Sequence, residues 1–189
     1  MNPDFIEVYD NALSSKQCKE IIKFIESQKL VIALLDGQYR PYIKDAYQVV
    51  GDLNVEHFTS VYLLKSLVKC VEDYWVKYPQ VKFNTVKSSL YPWQPDNNFN
   101  FQKYNPGQGY HLLHCENGGG RFSLRMLVWM IYLNTVTDGG GTYFHNYDRI
   151  TDAVEGRVVL WPPYWTHCHH GVVSNTQTKY IATGWFESQ

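Results

Sequence analysis

The sequence predicts an α+β fold, mainly β, in which two helices precede a β-rich half. Three observations support this. Apolar residues recur at helical spacing in two early segments, around 14–26 and 57–78. From residue 99 onward, short apolar runs are separated by Gly- and Pro-bearing turns, the spacing of a sandwich or barrel rather than of alternating β-α units. Aromatic residues make up 16% of the chain, with 15 Tyr and 6 Trp, more than a minimal core needs and suited to sheets around an aromatic-lined cleft.

At 189 residues the chain is expected to form one domain, with 1–98 supplying helical support and rim loops and 99–189 the β-rich core. Lys and Arg number 17 against 18 Asp and Glu, so a net charge of −1 offers no general attraction to nucleic acid or to an anionic membrane. No nucleic-acid or membrane partner is expected. The four cysteines, at 18, 70, 115 and 168, show no short paired spacing, and the opening Met-Asn-Pro-Asp has no basic region followed by an apolar run. The expectation is a cytoplasmic protein with reduced thiols.

In chain order, Phe5 to Tyr9 reads as a short strand. Ser14 stands three residues before Gln17, a capping-box spacing, and apolar residues at 18, 21, 22 and 25 give the first helix one face. Residues 30–54 carry Gly37, Pro41 and Gly51 and read as loops with a short strand at Ala46 to Val50; Tyr39, Arg40, Tyr42 and Lys44 could face a substrate, although an exposed loop without such a role is the expected reading. The second helix, His57 to Tyr78, carries Val61, Leu64, Val68, Val71 and Trp75 at spacings of three and four and stops at Pro79. Both helices should lie against one face of a sheet. Tyr91 to Asn98 is turn chemistry and a rim loop. Strands then follow at Phe99 to Tyr104, from Tyr110, at Phe122 to Asn134, Tyr143-Phe144, Arg149 to Val154, Arg157 to Trp161, Thr166 to Val173 and Thr178 to Phe186.

Two of these segments carry chemistry. In Tyr110-His-Leu-Leu-His114-Cys115-Glu116, strand alternation puts His114 and Glu116 on one face with Cys115 behind them. In Trp165-Thr-His167-Cys168-His169-His-Gly171, His167 and His169 share a face with Cys168 behind. Two imidazoles and one carboxylate with open coordination positions suit a non-haem Fe(II) centre. Zinc is the rival, because thiolate with imidazole suits it, but using both cysteines would require irregular backbone. Spacing alone leaves either His167 or His169 as the second imidazole. His111 lies three residues before His114, on the opposite strand face.

Residues 100–186 resemble the 2-oxoglutarate- and Fe(II)-dependent oxygenases, specifically the prolyl 4-hydroxylase-like branch with its compact bacterial and phage-type members. The likeness extends weakly to Ile6–Ile25. It implies a double-stranded β-helix, a jelly roll with the N-terminal helices packed on the major sheet. Gln102-Lys-Tyr104 followed by Tyr110 and His114-Cys-Glu116 is similar to that family's Gln-x-Tyr and Tyr-x-x-His-x-Asp motifs. Glutamate stands for aspartate, and Tyr110 lies four residues before His114 instead of three. His169-His-Gly171-Val-Val173 resembles the distal motif, and Lys179 stands ten residues after His169, where the family has the lysine that pairs with the far carboxylate of 2-oxoglutarate.

The resemblance therefore implies metal ligands His114, Glu116 and His169, with Lys179 and Tyr104 holding the co-substrate. Trp185, Tyr110, Tyr132 and His167 become candidates for the substrate pocket, and aromatics at 132, 161, 165 and 185 would line it. Asp138-Gly-Gly-Gly-Thr142 resembles the family's Gly-Gly-Glu-Thr turn without its glutamate. The implied cofactors are Fe(II), 2-oxoglutarate and dioxygen. The implied reaction is hydroxylation of a prolyl or similar residue in a peptide or protein. An oxygenase of the same scaffold acting on a small molecule or free amino acid, and a metal-binding jelly roll without turnover, are the alternatives.

Overall fold

The computed structural model describes residues 3–82 and 93–188. Its elements, in chain order, are β1 (Glu7–Tyr9), α1 (Ser15–Ser27), β2 (Val31–Ile32), β3 (Tyr47–Asp52), α2 (Phe58–Lys77), β4 (Trp93–Pro95), β5 (Asn98–Tyr104), β6 (Arg125–Tyr132), β7 (Thr142–Phe144), β8 (Arg149–Thr151), β9 (Val158–Trp161), β10 (His169–Gly171) and β11 (Lys179–Ser188). All pairings are antiparallel. A major sheet runs β1-β9-β6-β11-β5-β3-β2, with β4 also paired to β11, and a minor sheet runs β10-β7-β8.

Alternation along the central strands divides the interior in two. On β6, Leu127, Trp129 and Ile131 face α1 and α2, joined by Val158 and Leu160 of β9 and Phe99 and Phe101 of β5. Val128, Met130 and Tyr132 face the other way, with Val159, Trp161 and Tyr104, toward Phe144 of the minor sheet. The helices thus seal one face of the major sheet and leave the other for the site. Trp129 is fully buried and lies over Gly184, where an added Cβ would come within 2.5 Å of the indole.

The first helix follows the expectation: Gln17 N–H reaches Ser14 Oγ at 3.3 Å while Ser14 N–H reaches Gln17 Oε1 at 2.9 Å, and Cys18, Ile21 and Ile25 are buried. The second forms where expected, capped by His57 and Tyr78, but its buried face is rotated. Val61 and Val68 are exposed, and the face instead holds Thr59, Ser60, Leu63, Ser66, Leu67, Cys70, Val71, Tyr74 and Trp75. Ser60 Oγ–H donates to the Asp52 carbonyl of β3 at 3.0 Å, a tie that apolar periodicity does not register.

Several strands differ from the expected ones. No ladder forms over 110–116; only Tyr110 and His114 make isolated bridges, to Lys44 and His169. Both the His111 and Leu112 N–H groups turn to the carbonyl of Ile43, which breaks the regular alternation of donors. The distal segment starts as a 3-10 turn, Trp165–His167, before β10, so His167 and His169 do not share a strand face. A second 3-10 turn, Gly120–Leu124, delays β6. The strand after Tyr147 ends at Thr151. Strands β2 and β4 arise in segments read as loops, and Tyr91 and Pro92 of the rim loop lie outside the described residues. Among the described residues no helix is long and apolar enough to cross a membrane.

Candidate active site

The open face of the major sheet and the segment 110–116 enclose a cavity of about 550 Å³. His114 and His169 are held opposite each other by a reciprocal backbone pair, His114 N–H to His169 O at 3.0 Å and His169 N–H to His114 O at 2.9 Å. Glu116 N–H donates to the carbonyl of Pro163, which brings its side chain back toward the two rings. Glu116 Oε1 lies 3.3 Å from His114 Nε2 and 3.7 Å from His169 Nε2. The three donor atoms lie within 4.8 Å of one another, a group that could hold one metal ion.

The surroundings fix which atoms are offered. His114 Nδ1 is 2.8 Å from the carbonyl of Leu112 and His169 Nδ1 is 3.0 Å from that of His167. A carbonyl only accepts, so each Nδ1 carries the proton and each Nε2 keeps its lone pair for the cavity. Glu116 Oε2 accepts from Trp185 Nε1–H at 3.1 Å and from Arg125 Nη1 at 3.3 Å, leaving Oε1 as the free donor. Arg125 is clamped between the Phe122 and Trp185 rings, 4.3 and 3.5 Å from their centroids. Burial alone would push the Glu116 carboxyl up, but protonation of the two facing imidazoles, with the hydrogen bond His114 then donates, and the charge of Arg125 outweigh it and hold it at about 2; a divalent cation would take the place of those imidazole protons. Burial, aided by His114, lowers His169 to about 4. A carboxylate with two neutral imidazoles is the protonation state a divalent cation needs, so the residues fit an iron centre.

Farther along the same wall, Lys179 opens β11 with 6% of its surface exposed. Its ammonium lies 4.6 Å from the Tyr104 ring centroid and, among the described residues, has no ion pair. Burial pushes its pKa down to about 8. Tyr104 is buried, with its hydroxyl donating to Gln102 Oε1 at 2.5 Å.

The structure thus brings His114, Glu116, His169, Lys179, Tyr104, Tyr110, Trp161 and Trp185 to one cavity. It does not bring Tyr132, His167 or Trp165 there. Tyr132 belongs to the core, its hydroxyl bonded to Thr142 Oγ1 and the Thr151 carbonyl, because β6 turns that position under the minor sheet. The His167 ring points away, with Nε2 2.7 Å from the carbonyl of Asp4, and only its own carbonyl serves the site. Trp165 is 75% exposed. Cys115 and Cys168 are free thiols and neither joins the donor group.

At the cavity, Arg125 is not singled out from the sequence, and Lys44 reads there as an exposed loop residue with a role toward substrate only as the alternative. Arg125 had a signal: a cation opening a strongly apolar strand is rarely buried unless paired. A lysine among loop residues reads as solvated, yet Lys44 is only 9% exposed and lines the cavity.

Comparison with known proteins agrees with this geometry. Residues 99–187 match the family model described as the 2OG-Fe(II) oxygenase superfamily. No curated protein sequence matches. Among solved structures, the chain is similar to the viral collagen prolyl hydroxylase of Paramecium bursaria Chlorella virus 1 in its 2OG complex, at 16% identity and TM-score 0.70, covering 98% of this chain and 97% of that one. It is similar to a Pseudomonas putida prolyl-4-hydroxylase at 15% identity and TM-score 0.71, covering 98% and 94%. A Trichoplax adhaerens prolyl hydroxylase, solved with a hypoxia inducible factor oxygen degradation domain peptide fragment, matches at 16% identity and TM-score 0.70, covering 99% and 85%. The two sheets and two helices are therefore those of a double-stranded β-helix.

Proposed function

We propose that the chain, whose residues 99–187 match the 2OG-Fe(II) oxygenase model and whose fold is similar to that of prolyl hydroxylases, is an Fe(II)- and 2-oxoglutarate-dependent hydroxylase acting on a prolyl or similar residue of a peptide or protein. The observation that carries this reading is a single cavity holding both the three-donor cluster and a buried ammonium without an anion.

In this reading His114 Nε2, His169 Nε2 and Glu116 Oε1 hold the iron, and Lys179 binds the far carboxylate of 2-oxoglutarate beside the Tyr104 ring. Together Fe(II), 2-oxoglutarate and dioxygen supply oxidation of a C–H bond, with the keto acid losing carbon dioxide to become succinate. The chain's own contribution is position and environment. The Leu112 and His167 carbonyls orient the imidazoles, and Trp185 with Arg125 stops Glu116 from rotating. Met130, Trp161 and Ile181 close the apolar wall and keep water from the reacting centre. The viral, Pseudomonas putida and Trichoplax adhaerens proteins whose fold this chain resembles are prolyl hydroxylases, which supports a prolyl substrate.

The test is a peptide library incubated with the protein, Fe(II) and 2-oxoglutarate and read by mass spectrometry. The expected result is gain of one oxygen atom on a proline, lost when 2-oxoglutarate is omitted. Turnover of 2-oxoglutarate with oxygen delivered only to non-peptide acids would refute the peptide assignment.

A further inference from the structure

The cavity buries a second ammonium. Lys44 sits where the turn Arg40–Lys44 meets the segment leading to the metal donors, fixed by Asp45 N–H to Gly109 O at 2.8 Å and His111 N–H to Ile43 O at 2.7 Å. Its Nζ lies 5.1 Å from the Tyr110 ring centroid, and that ring stacks on His114 at 3.8 Å. One aromatic ring therefore relates this charge to the donor imidazole.

Among the described residues the Lys44 ammonium has neither hydrogen bond nor ion pair, although only 9% of the residue is exposed. Glu116 attracts it from a distance but has no oxygen to spare. Its Oε2 serves Trp185 and Arg125, and its Oε1 faces both imidazoles. The cavity wall carries Lys44, Lys179, Arg121 and Arg125 against Asp36 and Glu116. A divalent iron and a dianionic 2-oxoglutarate cancel one another, so the loaded cavity keeps its cationic surplus. The co-substrate has two carboxylates, one for the metal and one for Lys179, and none remains for Lys44. A desolvated cation without an anion is costly, and a carboxylate brought by the substrate removes that cost.

We propose that Lys44 binds a carboxylate of the substrate, so that this chain acts on acidic substrates: a peptide with Asp or Glu beside the oxidised residue, or one presenting its own terminal carboxylate. The proposal rests on the oxygenase reading of the cavity but not on the substrate being a peptide.

The experiment is calorimetric titration of the full chain loaded with 2-oxoglutarate and with Mn(II), which takes the place of iron without turnover. The probes are acetyl-Ala-Pro-Glu-Ala-amide, its Gln counterpart, the Gln peptide with a free C-terminus, and L-proline against L-prolinamide. At least one carboxylate-bearing probe should bind about tenfold or more tightly than its neutral counterpart, the scale of one charge-assisted contact. That gain should vanish in Lys44→Met and return in part in Lys44→Arg, while both variants keep 2-oxoglutarate affinity within about twofold, which also reports that they are folded. The Glu peptide and the free C-terminus distinguish the two sources. A Lys44-dependent gain for L-proline alone would uphold Lys44 and retire the peptide reading. A gain that survives Lys44→Met, the absence of any carboxylate gain, or a collapse of 2-oxoglutarate affinity in Lys44→Met would each overturn the proposal, and none of these would bear on whether prolyl peptides are hydroxylated.

Discussion

Replacing Lys179 should separate two properties that the site couples. In the proposed complex the far carboxylate of 2-oxoglutarate has this ammonium as its partner in a nearly dry position, since the residue is 6% exposed and its ammonium lies against the Tyr104 ring. A hydrogen bond to a charged group is worth roughly 1.5–3 kcal/mol, and a carboxylate stranded in the cavity adds a desolvation cost. Because about 1.4 kcal/mol is a factor of ten, Lys179→Met or Lys179→Ala should weaken 2-oxoglutarate binding by on the order of ten- to a hundredfold or more. Metal affinity, which depends on His114, Glu116 and His169, should stay close to wild type. Lys179→Arg should recover part of the loss, limited by a planar guanidinium entering a space shaped for an ammonium.

Without co-substrate the sign reverses. Burial lowers the folded-state pKa of Lys179 to about 8, below the value near 10.4 of an unfolded lysine. The unfolded chain therefore binds more protons between those two values, and this residue makes stability rise with pH across that window. Below pH 8 the buried charge carries its full cost, so Lys179→Met should raise apo stability at pH 7, by roughly 1–3 kcal/mol, and flatten the rise at alkaline pH. Calorimetric titration of 2-oxoglutarate at saturating Mn(II), with thermal melts of the apo protein from pH 7 to 10, measures both. Unchanged co-substrate affinity in Lys179→Met would refute the assignment and leave the residue as a buried structural lysine.

Three further outcomes are expected. His169→Ala should abolish divalent-metal binding, while His167→Ala and His170→Ala should retain it, read by metal titration; loss in His167→Ala alone would mean that the 3-10 turn at Trp165–His167 misplaces the distal ligand. Cys115→Ser with Cys168→Ser should leave metal binding unchanged, since neither thiol joins the donor group, and a loss of binding in the double variant would favour a zinc site. Gly184→Ala should destabilise the fold by roughly 1–3 kcal/mol in chemical denaturation, because its Cβ would meet the Trp129 indole at 2.5 Å in a packed core; a neutral effect would mean that β11 can shift away from β6.

What the sequence made legible, and what it hid, divides along one physical line. Period and capping are local, so α1, the extent of α2 and the central strands β5, β6, β9 and β11 could be read from residue spacing. Facing depends on what packs opposite, and there the reading slipped. Apolar spacing chose Val61 and Val68 for the buried side of α2, whereas Thr59, Ser60 and Ser66 lie there, Ser60 through its hydrogen bond to the Asp52 carbonyl.

The same division runs through the site. His114 and Glu116 converge although no strand ladder carries them, because two-residue spacing in extended chain is enough to aim two side chains together. Strand alternation gave no basis for choosing between His167 and His169, since they are separated by the 3-10 turn at Trp165–His167, in which His167 N–H donates to the Tyr164 carbonyl at 2.8 Å, and not by a repeat. Glutamate at position 116 makes sense only with its partners in view. Its longer side chain keeps Oε2 against Trp185 and Arg125 while Oε1 meets the imidazoles, and neither partner is near it in sequence. Lys44, weighed for a role toward substrate, reads instead as exposed, because nothing local marks it as buried. Its burial comes from a loop folded over the cavity, and a lysine on such a loop is solvated unless the fold closes above it. Residues that act through local spacing can be found without coordinates, while those that act by closing the cavity become visible only once the chain has folded over it.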